Sequence, residues 1–162
     1  MKKKRAVYEV ENPSLDNYNI LLNEATFHNA NGYIGVRYDF EEGYPEEYKY
    51  MRSQYINGFY DFTEMKQPER LYGLARKKQI MLNIADTQSI KLFVQDEEFS
   101  MYKGTVLSSK LTLDMDKGIN IREVVWRSNG GLECHIKITR MASFYQLSLF
   151  TKYFRLAVNS ML

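Results

Sequence analysis

The sequence predicts an all-β fold built as an antiparallel β-sandwich, and three observations carry that prediction. From Leu132 to Thr139 the apolar residues Leu132, Cys134, Ile136 and Ile138 alternate with Glu133, His135, Lys137 and Thr139. Period-2 alternation marks a strand with one buried face. Just before it, the tetrapeptide from Ser128 to Gly131 holds an Asn-Gly pair of the kind that closes tight hairpins. Upstream, the turn from Met115 to Gly118 separates Leu111, Leu113 and Met115, an apolar face, from a further strand at Ile119–Arg127. Three consecutive antiparallel strands with short turns follow. A sheet of this kind needs cover on one face, and a sandwich is the simplest architecture that supplies it.

The remaining elements follow in chain order. Ala6–Val10, Tyr33–Phe40 and Tyr55–Phe62 read as strands in the first half. Ser14–Phe27 reads as a helix capped by Ser14, with Leu15, Tyr18, Leu21 and Leu22 on one face. Thr63–Lys78 is charged and irregular, a loop or a short helix. Gln79–Ile84 and Ile90–Val94 are two more strand candidates. In Ile119–Arg127 the alternation changes phase near Glu123, where a β-bulge is expected. Pro13, Pro45 and Pro68 each punctuate a polar stretch and read as loop markers. No repeat, low-complexity tract or Gly/Ser linker divides the chain, so 1–162 reads as a single domain.

Composition bounds the class. The chain has 162 residues, and a compact monomer of 19.2 kDa exposes about 8,400 Å², burying roughly 70% of its unfolded surface. The net charge is +2, and removing Lys2, Lys3, Lys4 and Arg5 leaves −2, so no nucleic-acid surface is indicated. The basic start lacks an apolar run and reads as a solvated terminus rather than a secretory signal. No transmembrane helix is expected, because no run of eighteen apolar residues occurs. Cys134 is the one cysteine, so no disulfide forms within the chain, and a reducing, cytoplasmic location is expected.

Candidate chemistry is sparse. His28, His135 and Cys134 match no zinc spacing, so no metal or cofactor is expected. His135 falls on the polar face of its strand, while Cys134 falls in the core and reads as a small hydrophobe. Asp39, Glu41, Glu42, Glu46 and Glu47 cluster around Gly43 and Pro45, and read as a solvated loop before an acid/base pair. No P-loop or dinucleotide fingerprint is present. Aromatics make up 14% of the chain, and seven tyrosines (33, 38, 44, 48, 50, 55 and 60) fall within 28 residues. Such rings stack on sugars, form protein interfaces or fill cores. Tyr44, Tyr55 and Tyr60 are the candidates for sugar stacking or an interface.

The same stretch carries a family resemblance. NGYIGVR (31–37), FEEGYP (40–45) and YINGFYD (55–61) resemble the amino-terminal part of glycoside hydrolase family 65, which contains maltose, trehalose and kojibiose phosphorylases. LTLDMDKGINIREVVWRSNGG (111–131) and ITRMASF (138–144) are similar to its following strands, so the resemblance covers about residues 24–144. It implies a sandwich of the galactose-mutarotase-like type. It also implies that the helical barrel carrying the general acid and the phosphate site lies outside these 162 residues, so no residue here inherits a catalytic role. Asn31, Gly32, Tyr33 and Arg37 are the implied contacts to the rim of the active site. Tyr38 stands where relatives commonly carry Gly, and 145–162 aligns with nothing in the family pattern.

The expectation is therefore a structural, non-catalytic amino-terminal domain. Its partners are the missing barrel of a longer parent and, through exposed strand edges, a second copy of itself. The sandwich is expected to be incomplete, from a cut chain or an early-ending reading frame. Leu147, Leu149, Phe150, Phe154, Leu156 and Val158 then require cover. The alternative is a free-standing carbohydrate-binding module with a disaccharide ligand. A mutarotase-like enzyme needs a histidine–acid pair, and with two histidines available it is the least favoured reading.

Overall fold

The structure, a computed structural model, describes residues 6–45, 53–65, 73 and 75–159. It is all-β and antiparallel. Strands are β1 (Val7–Glu11), β2 (Asn29–Ala30), β3 (Ile34–Val36), β4 (Gln54–Glu64), β5 (Lys77–Asn83), β6 (Phe93–Val94), β7 (Glu97–Glu98), β8 (Thr105–Asp114), β9 (Ile119–Arg127), β10 (Glu133–Ala142) and β11 (Phe150–Asn159), with one helix, α1 (Asn17–Thr26), among the described residues. The main sheet has the order β1-β8-β9-β10-β11, a second sheet the order β2-β3-β4-β5, and β6-β7 form a small hairpin. Among the described residues no helix is long and apolar enough to cross a membrane.

The predicted run of three strands is β8, β9 and β10, paired in succession. At the second turn Gly131 N–H donates to Ser128 O at 3.0 Å, and Gly131 takes the left-handed conformation with φ 88. The left-handed residue is therefore Gly131, one position beyond the Asn-Gly pair. The expected bulge at Glu123 is absent. β9 alternates without interruption, burying Asn120, Arg122, Val124 and Trp126. What changes phase is polarity, because two of the four inward side chains are polar. The register shift lies on the neighbouring strand, between Val106 and Ser108. On β8, Leu111 is buried and Leu113 partly so, but Met115 is exposed beyond the strand end.

The core gathers on one face of the main sheet. Leu111, Val124, Trp126, Cys134, Ile136 and Ile138 meet Phe27, Tyr38, Phe40, Val94, Phe99 and Met101 from the covering segments. Trp126 is fully buried, edge-on to Phe99 at 5.5 Å, and its indole N–H donates to Lys103 O at 2.6 Å. Close approach here requires a glycine. A Cβ at Gly104 (φ +64) would lie 2.6 Å from Arg127 O and 2.7 Å from the Trp126 ring.

Other elements depart from expectation. The helix is capped by Asp16, whose side chain accepts from Asn19 N–H at 2.9 Å, and Ser14 instead donates to Asp16 at 2.6 Å. Of its predicted apolar face Leu15 packs on the core, but Tyr18, Leu21 and Leu22 are exposed, while Ile20 and Phe27 are buried. Tyr33–Phe40 shortens to β3, and Ile90–Val94 to β6. The segment 145–162, unreadable from sequence, supplies β11, which pairs with β10 over its whole length. Tail side chains Leu147, Leu149, Phe154, Leu156 and Val158 are exposed, whereas Phe150 packs on Ile34, Val36 and Ala142. The total accessible surface is 11318 Å².

Candidate functional site

Three adjacent strands place cations on the covered face at one end of the main sheet. Across β9, β10 and β11, Arg140 stands opposite both Asn120 and Lys152, and Arg122 opposite Ile138. All three basic side chains are buried. A buried guanidinium needs a carboxylate and filled hydrogen bonds. The segment Asp39–Glu42 delivers the carboxylates and most of the hydrogen bonds, leaving Arg140 Nη1 without a partner. Arg122 Nη1 donates to Glu41 Oε2 at 3.0 Å and to Glu42 Oε2 at 2.7 Å, and Nη2 donates to Glu42 Oε1 at 2.6 Å. Arg140 Nε donates to Glu41 Oε1 at 2.7 Å, and its Nη2 donates to the same carboxylate and to Asp39 O. Lys152 Nζ lies 3.2 Å from Glu41 Oε1 and donates to Gln88 O at 3.1 Å.

Aromatic rings close the cluster. Arg122 lies 4.4 Å from the Phe40 ring centre and Arg140 4.4 Å from that of Tyr38, both within cation–π range. Burial pushes the Glu41 carboxyl up, but Arg140, Lys152 and Arg122 together outweigh it and hold Glu41 at about 2. Burial works against the Arg122 charge, yet Glu42 and Glu41 keep it firmly ionised. Burial pushes Tyr38 up to about 12, partly countered by Arg122 and Arg140. The expected solvated acidic loop is thus, at Glu41 and Glu42, a buried counter-charge. Glu46 and Glu47 lie outside the described residues, as do Tyr48 and Tyr50.

The predicted rim residues sit elsewhere, on the β2–β3 turn and just after β3. Asn31 Oδ1 accepts from Tyr33 N–H at 3.0 Å and Ile34 N–H at 2.9 Å, so it shapes the turn. Its Nδ2 donates to Ser143 O at 2.6 Å and Leu147 O at 2.9 Å, tying that turn to the β10–β11 connection. Gly32 has φ +86, with nothing within 4 Å of an added Cβ. Arg37 is half-exposed and its Nε meets Glu24 Oε1 at 3.1 Å. Burial raises the Glu24 carboxyl, and Arg37 partly offsets that.

The tyrosine candidates divide. Tyr44 stacks on Phe40 at 5.0 Å and meets Tyr102 edge-on, so its ring joins the core margin. Burial, then Asp39, pushes its phenol pKa up. Tyr55 lies on β4 opposite Gly35 and Asn83. Tyr33 is 40% exposed and Tyr60 38%. Both bond to Asn57, whose N–H donates to Tyr33 O at 2.7 Å and whose Oδ1 accepts from Tyr60 Oη at 3.2 Å. The structure therefore brings Tyr33 and Tyr60 to one place with Asn57, and leaves Tyr44 and Arg37 apart from it.

Sequence reasoning missed Arg122, Arg140 and Lys152. The signal was present as the false phase change in β9, where Asn120 and Arg122 occupy inward positions. Among the described residues no group of three or more His, Cys, Asp and Glu side chains is arranged to hold a metal ion.

This arrangement defines an all-β, antiparallel sandwich-type domain whose covering layer is fastened by buried charge. The family model described as glycosyl hydrolase family 65, N-terminal domain, matches residues 10–157, and the chain belongs to that family. The match runs past both ends of the stretch 24–144 and includes nearly all of β11. Alpha,alpha-trehalose phosphorylase of Geobacillus stearothermophilus is 37% identical over 145 residues, 88% of this chain and 19% of the relative. The Thermoanaerobacter brockii alpha,alpha-trehalose phosphorylase is 45% identical over 123 residues, 75% of this chain and 16% of the relative. A solved structure from the human microbiome, assigned as a kojibiose phosphorylase, shares the fold, with TM-score 0.78 and 22% identity over 96% of this chain and 21% of its own. The chain thus spans about a fifth of the length of the relatives it matches.

Proposed function

We propose that this chain acts as the non-catalytic amino-terminal domain of a family 65 disaccharide phosphorylase or hydrolase in carbohydrate metabolism. Its partner is a catalytic barrel carried elsewhere in a longer parent protein. The domain supports that barrel and lends the turn Asn31–Tyr33, with Arg37 beside it, to the rim of the active site. In this reading the sandwich is of the galactose-mutarotase-like type, the protein is cytoplasmic, and two copies associate.

The observation that carries the reading is the state of the buried acids. Inverting transfer needs a carboxylic acid that keeps its proton near neutral pH. Glu41 is held at about 2 and is bonded to Arg122, Arg140 and Lys152, and Glu42 is bonded to Arg122. Both acids fasten the covering layer, and Glu41 carries no proton to give.

The test is phosphorolysis by the 162-residue chain. Incubation with trehalose, maltose or kojibiose and inorganic phosphate is expected to release no glucose 1-phosphate, and release would overturn the reading. A second reading, a carbohydrate-binding module, draws on the exposed Tyr33 and Tyr60 joined through Asn57. Titration calorimetry with trehalose and maltose separates the two. The structural reading expects heats of dilution alone, and saturable heat favours the module.

A further inference from the structure

The sequence holds three Asn-Gly pairs, Asn31-Gly32, Asn57-Gly58 and Asn129-Gly130. Such a pair can react with itself. The glycine nitrogen attacks the asparagine side-chain amide carbon, a ring C–N bond forms, and the amide nitrogen leaves as ammonia. Water then opens the succinimide to aspartate or isoaspartate, so water is the one co-reactant. Glycine favours the step, because no Cβ obstructs the approach and the backbone turns freely. Asparagine is accordingly among the thermolabile residues. Two conditions decide whether a folded pair reacts. The asparagine side chain must rotate onto the next nitrogen, and that nitrogen must be free to attack.

The three pairs meet these conditions unequally. Asn31 is held at both ends of its amide. Its Oδ1 accepts from Tyr33 N–H and Ile34 N–H, and its Nδ2, the leaving group, donates to Ser143 O and Leu147 O. At Asn129 the attacking group is engaged, because Gly130 N–H donates to Glu97 Oε1 at 2.8 Å, and Asn129 N–H donates to the other oxygen of that carboxylate. Asn57 carries neither restraint. It lies where the β4–β5 register jumps from Tyr55 opposite Asn83 to Tyr60 opposite Met81. Asn57 and Gly58 are exposed there, and Gly58 has no cross-strand partner among the described residues. Gly58 takes φ +88, with nothing within 4 Å of an added Cβ. One bond restrains the Asn57 side chain, from the exposed Tyr60 Oη to Oδ1 at 3.2 Å, and Nδ2 bonds to none of the described residues.

We propose that Asn57 is a site of spontaneous modification in the folded protein, converting to aspartate and isoaspartate ahead of Asn31 and Asn129. Either product carries a new carboxylate, and isoaspartate also inserts a methylene into the backbone of β4. Both changes fall where Asn57 joins the exposed Tyr33 and Tyr60. Asn57 N–H donates to Tyr33 O at 2.7 Å and ties β4 to the β2–β3 turn. Chemical ageing of the chain therefore begins at that contact.

Peptide mass mapping tests this, because cleavage after Arg37, Arg52, Lys66, Arg127 and Lys137 places the three pairs on separate tryptic peptides. The 162-residue chain, aged in mildly alkaline buffer, is expected to show the mass increment of deamidation first at Asn57. Asn31 and Asn129 are expected to react at least about tenfold more slowly, since each must first give up hydrogen bonds. In urea the three are expected to react at similar rates. Glu97→Ala frees the Gly130 nitrogen and is expected to raise Asn129 towards the rate of Asn57, with Asn57 itself unchanged. Asn31 or Asn129 level with Asn57 in the folded chain overturns the proposal, as does a folded chain unmodified at Asn57. A lead of Asn57 that persists in urea belongs to the local sequence and overturns the role given to the fold. Glu97→Ala without effect on Asn129 overturns the protection assigned to Glu97.

Discussion

Ile136 and Leu156 face each other across the β10–β11 ladder, and their fates differ: Ile136 is 4% exposed and Leu156 44%. The next pair repeats this, with Ile138 at 2% and Phe154 at 37%. Both strands carry the same alternation, and both rows point to the same face. The difference lies in what lies above them. Phe40, Phe99 and Met101 extend over β9 and β10, and the Asp39–Glu42 segment is fastened there by Arg122 and Arg140. Over β11 that fastening reaches Lys152 and goes no further along the strand. Alternation in sequence states which face asks for cover, whereas a covering layer decides whether it is met.

The sharpest way to break this comparison is to unfasten the layer. Arg140→Met keeps most of the bulk but removes the Nε and Nη2 bonds to Glu41 and Asp39. Losing one partner of a buried ion pair typically costs about 3–5 kcal/mol, because the other charge stays buried. Urea unfolding is expected to show that loss with an unchanged slope. A cost near that of a surface substitution would mean that the aromatic contacts hold the layer without the charges.

That cluster marks where sequence reading stopped. The β8–β9–β10 meander was legible because Leu132, Cys134, Ile136 and Ile138 alternate with polar residues and the turns carry Gly118 and Gly131. Arg122 was illegible for the converse reason: counting hydrophobic residues reads an inward arginine as an outward one. The helix failed in the same way. Its inward stripe is Ile20, Asn23, Glu24 and Phe27, at i, i+3, i+4 and i+7, and two of the four are polar. The apolar residues Tyr18, Leu21 and Leu22 therefore pointed the prediction to the exposed side. Of the candidate site, Asn31 and Tyr33 were singled out through the family pattern, and the structure shows Asn31 shaping the β2–β3 turn. The bonds of Asn57 to Tyr33 and Tyr60 were not legible, since they depend on bringing β4 beside the β2–β3 turn.

A paired truncation sharpens the comparison at the residue level. Ile136→Ala opens a cavity in a packed core and is expected to cost about 2–5 kcal/mol. Leu156→Ala is expected to cost under about 1 kcal/mol, since little is buried there to lose. Equal losses would mean that β11 is covered in solution.

The smallest effect tests the opposite margin of the cover, where β7 clasps the β9–β10 turn. Glu97 accepts from Asn129 N–H at 2.7 Å and Gly130 N–H at 2.8 Å. Those two backbone donors lower its pKa, Asn129 contributing most. A lowered folded-state pKa stabilises the clasp at pH above the unfolded carboxyl value, and that contribution is lost as pH falls through the folded one. The Asn129 and Gly130 amide resonances are therefore expected to titrate together, with a midpoint below the ordinary glutamate range. In Glu97→Gln both should be flat across that range while the urea midpoint hardly moves, because the carboxylate is solvated and the core beneath is untouched. A midpoint shift as large as that of Ile136→Ala would show that the clasp, and not the buried charge, sets the limit of the covered region.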